Sequence, residues 1–158
     1  GQERQKTLHD ERLLTCGDVN AVQFNDGYND RIGMLKGKPD PNVLVMSKTH
    51  LTTGLVDLID YIDAKNRYSY TYDGSAQALD HMLINKPVRG IVAKFGYARV
   101  DADFPLVWSN DPTRPERLSD HDAPVVFLNL DETKPSSTGP PTPPNPLPAP
   151  KPSQTPQF

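Results

Sequence analysis

Three short polar segments contain the acidic, amide and imidazole side chains that could do chemistry. They are Gly17-Asp18-Val19-Asn20-Ala21, Leu79-Asp80-His81 and Ser119-Asp120-His121-Asp122-Ala123-Pro124. Carboxylate and imidazole groups can hold a cation, move a proton or orient a water molecule, and an amide can donate a hydrogen bond to an anionic ligand. Each segment lies at the end of a predicted strand, so a folded sheet could bring the three together.

The first segment carries Asp18 and Asn20 two residues apart. On an extended backbone, residues at this spacing point to the same side, so the two side chains could bind one ligand together. The alternative is an Asx turn that merely closes a strand.

The second segment places Asp80 inside an apolar run, where an unpaired carboxylate costs roughly several kcal/mol to bury. Asp80 therefore needs a partner, and His81 or His121 could supply one. The alternative is a strand end with a solvated carboxylate. In the third segment His121 lies between two aspartates, and there the alternative is an ordinary surface histidine.

The elements that must position these segments are mostly short strands, and the chain is predicted to be α/β or α+β. Strands are predicted at residues 12–16, 68–72, 78–85, 90–100 and 125–130, with a tolerated break at Gly96. Asp73-Gly74 is a strong hairpin signal and predicts that residues 68–72 and 78–85 pair as antiparallel strands.

The remaining segments of the folded part are predicted to be one short helix and two irregular connections. The helical face is formed by Leu55, Leu58, Ile59 and Ile62. Residues 25–41 and 101–120 are predicted to be long polar connections, and residues 3–11 a helix end.

Composition excludes several classes of protein. The chain has 158 residues, 17 Lys and Arg against 20 Asp and Glu, and a formal charge of -3, which argues against a large basic surface for nucleic acid. Its apolar runs are far shorter than the roughly 20 residues of a membrane span, and its first residues lack the features of a secretory signal. The single cysteine, Cys16, excludes an internal disulfide and is predicted to be a small buried hydrophobic residue.

Ten of the 17 prolines lie between Pro135 and Pro156. This composition cannot bury enough apolar surface to offset the entropy of ordering, so residues 132–158 are predicted to form a disordered, partly extended tail or linker. The alternative is a docking site for a proline-reading domain. The predicted folded part is residues 1–131.

Taken together in this order, the three polar segments resemble the C-terminal half of the endonuclease/exonuclease/phosphatase superfamily. Gly17 to Ala21 is similar to its Gly-Asp-Phe-Asn-Ala strand end, Leu79-Asp80-His81 to its Leu-Asp-aromatic strand, and Ser119 to Pro124 to its terminal Ser-Asp-His motif. Residues 24–28, 67–74 and 113–117 resemble the bacterial extracellular nuclease branch. The resemblance covers residues 13–130.

The resemblance implies a four-layer α/β/β/α sandwich with mixed, largely antiparallel sheets, of which residues 1–131 would be the C-terminal portion. It also implies phosphodiester hydrolysis with Mg²⁺ or Mn²⁺, with Ca²⁺ as a further option. Asp18 would orient or deprotonate the attacking water, and Asn20 would donate to a phosphate oxygen. Asp80 would fix the tautomer of His121, which would stabilise charge at phosphorus, and Asp120 would be a metal ligand.

The N-terminal half of the superfamily carries a strand Asn, a metal-binding Glu and a second His, and no segment before Asp18 matches them. His9 and Glu11 are the only candidates, and they are interpreted as solvated helix residues. The chain is therefore expected to be either a truncated nuclease-type enzyme or an inactive remnant that folds by pairing with a partner chain or with the missing half.

The expected substrate is nucleic acid, DNA in preference to RNA. A phosphomonoester or a phospholipid head group is the further alternative, because one fold can host several phosphate chemistries. The parent protein is expected to be bacterial and secreted or attached to the cell surface, with the proline-rich segment as a spacer.

Overall fold

A computed structural model describes residues 11–46, 48–49, 51 and 54–130. His9, the helix end predicted at residues 3–11 except for Glu11, and the tail predicted at residues 132–158 lie outside the described residues. Within the described residues, no helix has the length and apolar character needed to cross a lipid bilayer.

The described part of the chain is built of short strands and short helices. In chain order the elements are β1 (Leu14–Asp18), α1 (Arg31–Leu35), β2 (Val56–Asp57), β3 (Tyr70–Tyr72), β4 (Ser75–Gln77), β5 (Asp80–Ile84), α2 (Lys86–Arg89), β6 (Val92–Tyr97) and β7 (Pro124–Leu128). Three 3₁₀ helices lie among these described elements, at Leu58–Tyr61, Ala64–Asn66 and Leu106–Trp108. Every strand pairing in the described chain is antiparallel, so the predicted α+β class is confirmed. The four-layer sandwich remains a prediction.

The strand that organises the fold is β5. It lies between β1 and β2 in a sheet of order β1-β5-β2, and β3-β4 and β6-β7 form two further small sheets. All five residues of β5 are buried, as expected for a central strand covered on both faces. The core consists of Leu58, Ile59, Tyr61, Ala78, Met82, Ile84, Val88, Val92 and Phe95.

In contrast to β5, β1 is exposed along most of its length. It is the edge strand of its sheet, and Cys16 at its middle is an exposed free thiol. The prediction that Cys16 is buried is therefore wrong, because apolar neighbours in sequence do not cover a residue on an edge strand. The strand also begins and ends two residues later than predicted.

The hairpin forms at Asp73-Gly74 as predicted, but with a different second strand. Asp73 and Gly74 have φ values of 46° and 76°, the left-handed conformation that a two-residue turn requires at both central positions. Its strands are β3 and β4. The prediction that residues 78–85 form the second strand is wrong, because β5, which lies in this segment, pairs with β1 and not with β3.

Two further segments differ from their predicted structure. The connection predicted to be irregular at residues 25–41 contains α1, whose N-terminus is capped by the Asp30 carboxylate accepting from the Gly33 amide at 2.8 Å. The predicted helical face starting at Leu55 becomes β2 followed by the 3₁₀ helix Leu58–Tyr61. Leu58 and Ile59 are nonetheless completely buried.

The last two predicted strands are present as β6 and β7. β6 pairs with β7 through an irregularity between Val92 and Lys94 and continues through Gly96 without a break. The polar connection predicted at residues 101–120 is made mostly of turns and bends and contains the 3₁₀ helix Leu106–Trp108.

Candidate functional site

The antiparallel pairing of β1 with β5 brings the first two polar segments together. Asp18, the last residue of β1, lies directly opposite Asp80, the first residue of β5. Residues opposite each other in an antiparallel pair have Cβ atoms roughly 5 Å apart and side chains on one face. Two carboxylates from distant parts of the sequence therefore share one end of the sheet.

The segment after β1 folds into a tight Asx turn. The Asp18 Oδ1 atom accepts from the Asn20 backbone amide at 2.7 Å, and Oδ2 accepts from Asn20 Nδ2 at 3.0 Å. Asn20 has a φ of 48°, a left-handed conformation that asparagine tolerates. Of the two alternatives that the sequence left open for this pair, the structure shows the Asx turn, which holds the Asn20 amide group against Asp18.

Asp80 obtains the partners that its burial requires. Its Oδ2 atom accepts a hydrogen bond from Ser69 Oγ at 2.6 Å and lies 2.6 Å from His121 Nδ1. Ser69 is completely buried, and its Oγ accepts in turn from the backbone amides of Leu79 and Asp80. The hydrogen bond predicted between Asp80 and His121 is therefore present.

His121 is oriented from two sides. Its ring lies 4.6 Å from the ring of Tyr70, tilted by 32°, and its backbone forms an isolated antiparallel bridge with the same residue. With Nδ1 donating to the Asp80 carboxylate, the ring is left with Nε2 to offer to a ligand.

Asp18, Asp80 and His121 form a group that could hold a metal ion. Each offers one ligand atom, and these atoms all lie within 4.8 Å of one another. Carboxylate oxygens suit hard cations such as Mg²⁺ and Mn²⁺, and imidazole nitrogen suits Mn²⁺ better than Mg²⁺. The donor set therefore fits a divalent cation without selecting one.

Asp120, predicted from the resemblance to be a metal ligand, is exposed and is not a member of this group. Glu11, interpreted from the sequence as a solvated residue, is exposed.

Asp122, two residues beyond Asp120, was not assigned a role from the sequence, yet it fixes the segment that carries His121. Its completely buried carboxylate accepts from the amides of Val100, Asp101 and Ala102 at 2.9–3.2 Å and from Arg99 Nη1 at 2.8 Å. Its own amide donates to the Ser69 carbonyl at 2.7 Å. Its position beside His121 was visible in the sequence, but the three amides that it binds come from a distant loop.

His81 faces away from Asp80, because consecutive residues on a strand point to opposite faces. The suggestion that His81 could be the partner of Asp80 is therefore wrong. Its completely buried ring lies between the Asp57 carboxylate, 2.6 Å from Nδ1, and the Ala21 carbonyl, 2.7 Å from Nε2. Burial alone would lower the pKa of His81, but the hydrogen bond and charge of Asp57 and the Ala21 carbonyl raise it above its ordinary value.

Comparison with known proteins leaves the family open. No protein family, curated protein or solved structure matches the chain. The superfamily resemblance of the three polar segments therefore remains a prediction.

Proposed function

We propose that this protein hydrolyses phosphodiesters with the help of a divalent cation. The observation that carries the proposal is the convergence of Asp18, Asp80 and His121, whose ligand atoms lie within 4.8 Å of one another. These residues come from two adjacent strand ends and from a loop about 40 residues further along the chain. A buried carboxylate in contact with a histidine at one end of a sheet is a costly arrangement, and such arrangements are concentrated at functional sites.

The residues of the group would hold the cation, which when bound would neutralise phosphate charge and polarise the scissile bond. The Asp18 carboxylate can also orient a water molecule or accept its proton. Asn20 Nδ2 carries two N–H groups and donates one of them to Asp18, so the other can donate to a phosphate oxygen. Asp80 holds the His121 ring in one tautomer and one orientation.

We propose nucleic acid as the substrate, DNA in preference to RNA, and a secreted or cell-surface parent protein. Both rest on the resemblance of the polar segments to the bacterial extracellular nuclease branch. Asp120 as a further metal ligand rests on the same resemblance. Phosphomonoesters and phospholipid head groups are the alternative substrates for the same set of side chains.

A second candidate function is a partner-dependent half-domain without activity of its own. The observation that favours it is the exposure of β1, an edge strand that leaves Cys16 in solvent. Exposed edge strands are surfaces on which another chain can add a strand.

A plasmid-nicking assay with Mg²⁺ or Mn²⁺ tests the proposed function. Wild-type protein is expected to nick DNA only with the cation, and Asp18→Asn and His121→Ala are expected to lower the rate about hundredfold or more. Asp63→Asn is the matched control, because Asp63 is exposed and makes no capping hydrogen bond.

Two results would count against the proposal. If Asp18→Asn and His121→Ala both keep wild-type activity, these residues do not belong to the active site. No activity on DNA, on a phosphomonoester or on a phospholipid would favour the half-domain.

A further inference from the structure

The loop that carries Asp18 and Asn20 is attached to the rest of the molecule at few points. The Val19 amide donates to the Leu79 carbonyl at 2.9 Å, and the exposed Arg31 side chain donates to the Asn20 carbonyl at 2.8 Å. The third attachment is the hydrogen bond between the Ala21 carbonyl and His81. Of these three attachments, the hydrogen bond to His81 is the one made by a completely buried side chain.

We propose that His81 is a positioning residue for the candidate site, which clamps the loop of Asp18 and Asn20 to the β1-β5-β2 sheet. The inference rests on the proposed function. The hydrogen bonds of the His81 ring go to Asp57 and Ala21, so it acts on Asp18 and Asn20 through the Ala21 carbonyl at the end of their loop.

The geometry of the His81 ring makes this clamp specific. One ring nitrogen lies 2.6 Å from the Asp57 carboxyl group and the other lies 2.7 Å from the Ala21 carbonyl. Because a carbonyl oxygen can only accept, the hydrogen bond to Ala21 requires an N–H on Nε2. Without that N–H, the buried carbonyl would face a lone pair, which is costly where no water can enter.

The other end of the clamp is equally fixed. Asp57 belongs to β2, where it lies opposite Leu83 of β5, and its Oδ1 atom accepts from the Ile59 amide at 3.3 Å. Asp57 is completely buried and thus joins β2, the following 3₁₀ helix and His81.

One strand therefore positions both halves of the site. Asp80 of β5 points to one face and holds His121, while the next residue, His81, points to the other face and holds the loop of Asp18 and Asn20. A small displacement of this loop would separate the Asp18 carboxylate from the other two ligand atoms, and displacements of about 1 Å can cost about hundredfold in rate.

Hydrogen exchange of the backbone amides in the full chain tests the clamp without metal or substrate. His81→Ala is expected to speed exchange at the Asn20 amide about tenfold or more, because the loop loses its buried attachment. His81→Gln keeps an N–H donor on a side chain of similar length and is expected to restore part of the protection.

Met82→Ala is the matched control. Met82 is the next residue on β5 and a buried member of the core, so its truncation destabilises the sheet without removing a contact to Ala21. Faster exchange at Asn20 in His81→Ala but not in Met82→Ala supports the clamp. Equal exchange in His81→Ala and wild type, or the same acceleration in Met82→Ala, overturns it.

Two further readouts separate this inference from the proposed function. NMR of wild-type protein is expected to show a slowly exchanging N–H proton on Nε2 of the His81 ring, even if His81→Ala does not fold, and the absence of this N–H overturns the clamp. In a hydrolysis assay, His81→Ala is expected to lower kcat about tenfold or more with KM within about twofold. If wild-type protein hydrolyses no substrate, the proposed function is contradicted. The hydrogen-exchange rates and the N–H signal of the His81 ring would still test the clamp.

Discussion

At the scale of single residues, the site depends on how each polar side chain is held. Asp80 is the clearest case, because its Oδ2 atom is within 2.6 Å of both Ser69 Oγ and His121 Nδ1. Hydrogen bonds to a charged acceptor are the stronger kind, and a buried carboxylate keeps them from being replaced by water. The Asp80 carboxylate is thus what fixes the ring of His121.

Asp80→Asn tests this dependence. The amide has nearly the same shape as the carboxylate but carries no charge, and it can turn an N–H toward His121, so the ring loses its preferred tautomer. We expect the rate of phosphodiester cleavage to fall about hundredfold or more. The measurement is plasmid nicking at saturating Mn²⁺, with Asp63→Asn as the control for loss of one negative charge. A rate within twofold of wild type would show that the hydrogen bond to Asp80 does not matter for the reaction.

At the scale of elements, the site lies where separate small sheets meet. Tyr97 at the end of β6 donates from its hydroxyl to the Asp80 carbonyl of β5 at 2.7 Å. Burial is the main cause that raises the pKa of the Tyr97 hydroxyl well above its ordinary value. The nearby carboxylates of Asp57 and Asp80 raise this pKa further. The hydroxyl thus stays protonated in the folded protein and keeps this link between the sheets.

The raised pKa of Tyr97 predicts how stability depends on pH. An unfolded tyrosine loses its proton near pH 10, whereas folded Tyr97 keeps it to a higher pH. The stabilisation is therefore complete below about pH 10 and is lost as the pH rises from there through the folded pKa.

Tyr97→Phe removes the hydroxyl and its titration together. We expect it to lower the free energy of unfolding by about 1 kcal/mol at neutral pH and to weaken the loss of stability above pH 10. Urea unfolding of wild type and variant between pH 7 and 11 measures both effects. The same slope of stability against pH in the two proteins would contradict this account of Tyr97.

Which features of the fold and of the site could be predicted from the sequence depends on how far apart in the chain the interacting residues lie. The Asp73-Gly74 turn and the strand before it depend on local backbone preferences, so sequence patterns found them, whereas the strand after the turn was predicted in the wrong place. The contact between Asp80 and His121 came from the resemblance together with the cost of burying a carboxylate. The Asp57 and His81 pair could not be found in this way, because it joins residues 24 positions apart through a sheet register that no local pattern determines.

Burial was the least predictable property for the same reason. Cys16 has the apolar neighbours of a buried strand, yet β1 is an edge strand in the described structure. Whether a strand is central or at an edge depends on which strands pair with it, and that is a property of the whole chain.

At the scale of the whole molecule, the described residues contain a continuous core centred on β5, while the proline-rich segment at residues 132–158 has the composition of a tail or linker. Deletion of residues 132–158 is therefore expected to leave the Tm within about 2 °C, because a segment whose only large apolar residues are Leu147 and Phe158 adds little stability. Thermal unfolding followed by circular dichroism measures this. A decrease in Tm of more than about 5 °C would show that the segment packs on the folded part.

The measurement that tests the central claim most directly is Mn²⁺ binding, followed by electron paramagnetic resonance or calorimetry. The account predicts one site in the wild-type chain, and affinities about tenfold or more weaker in Asp18→Asn and in His121→Ala, because each substitution removes one of the three converging ligand atoms. Asp63→Asn, which removes an exposed carboxylate elsewhere, is expected to bind as wild type does. Wild-type affinity in both site variants would contradict the claim that Asp18, Asp80 and His121 form a metal site.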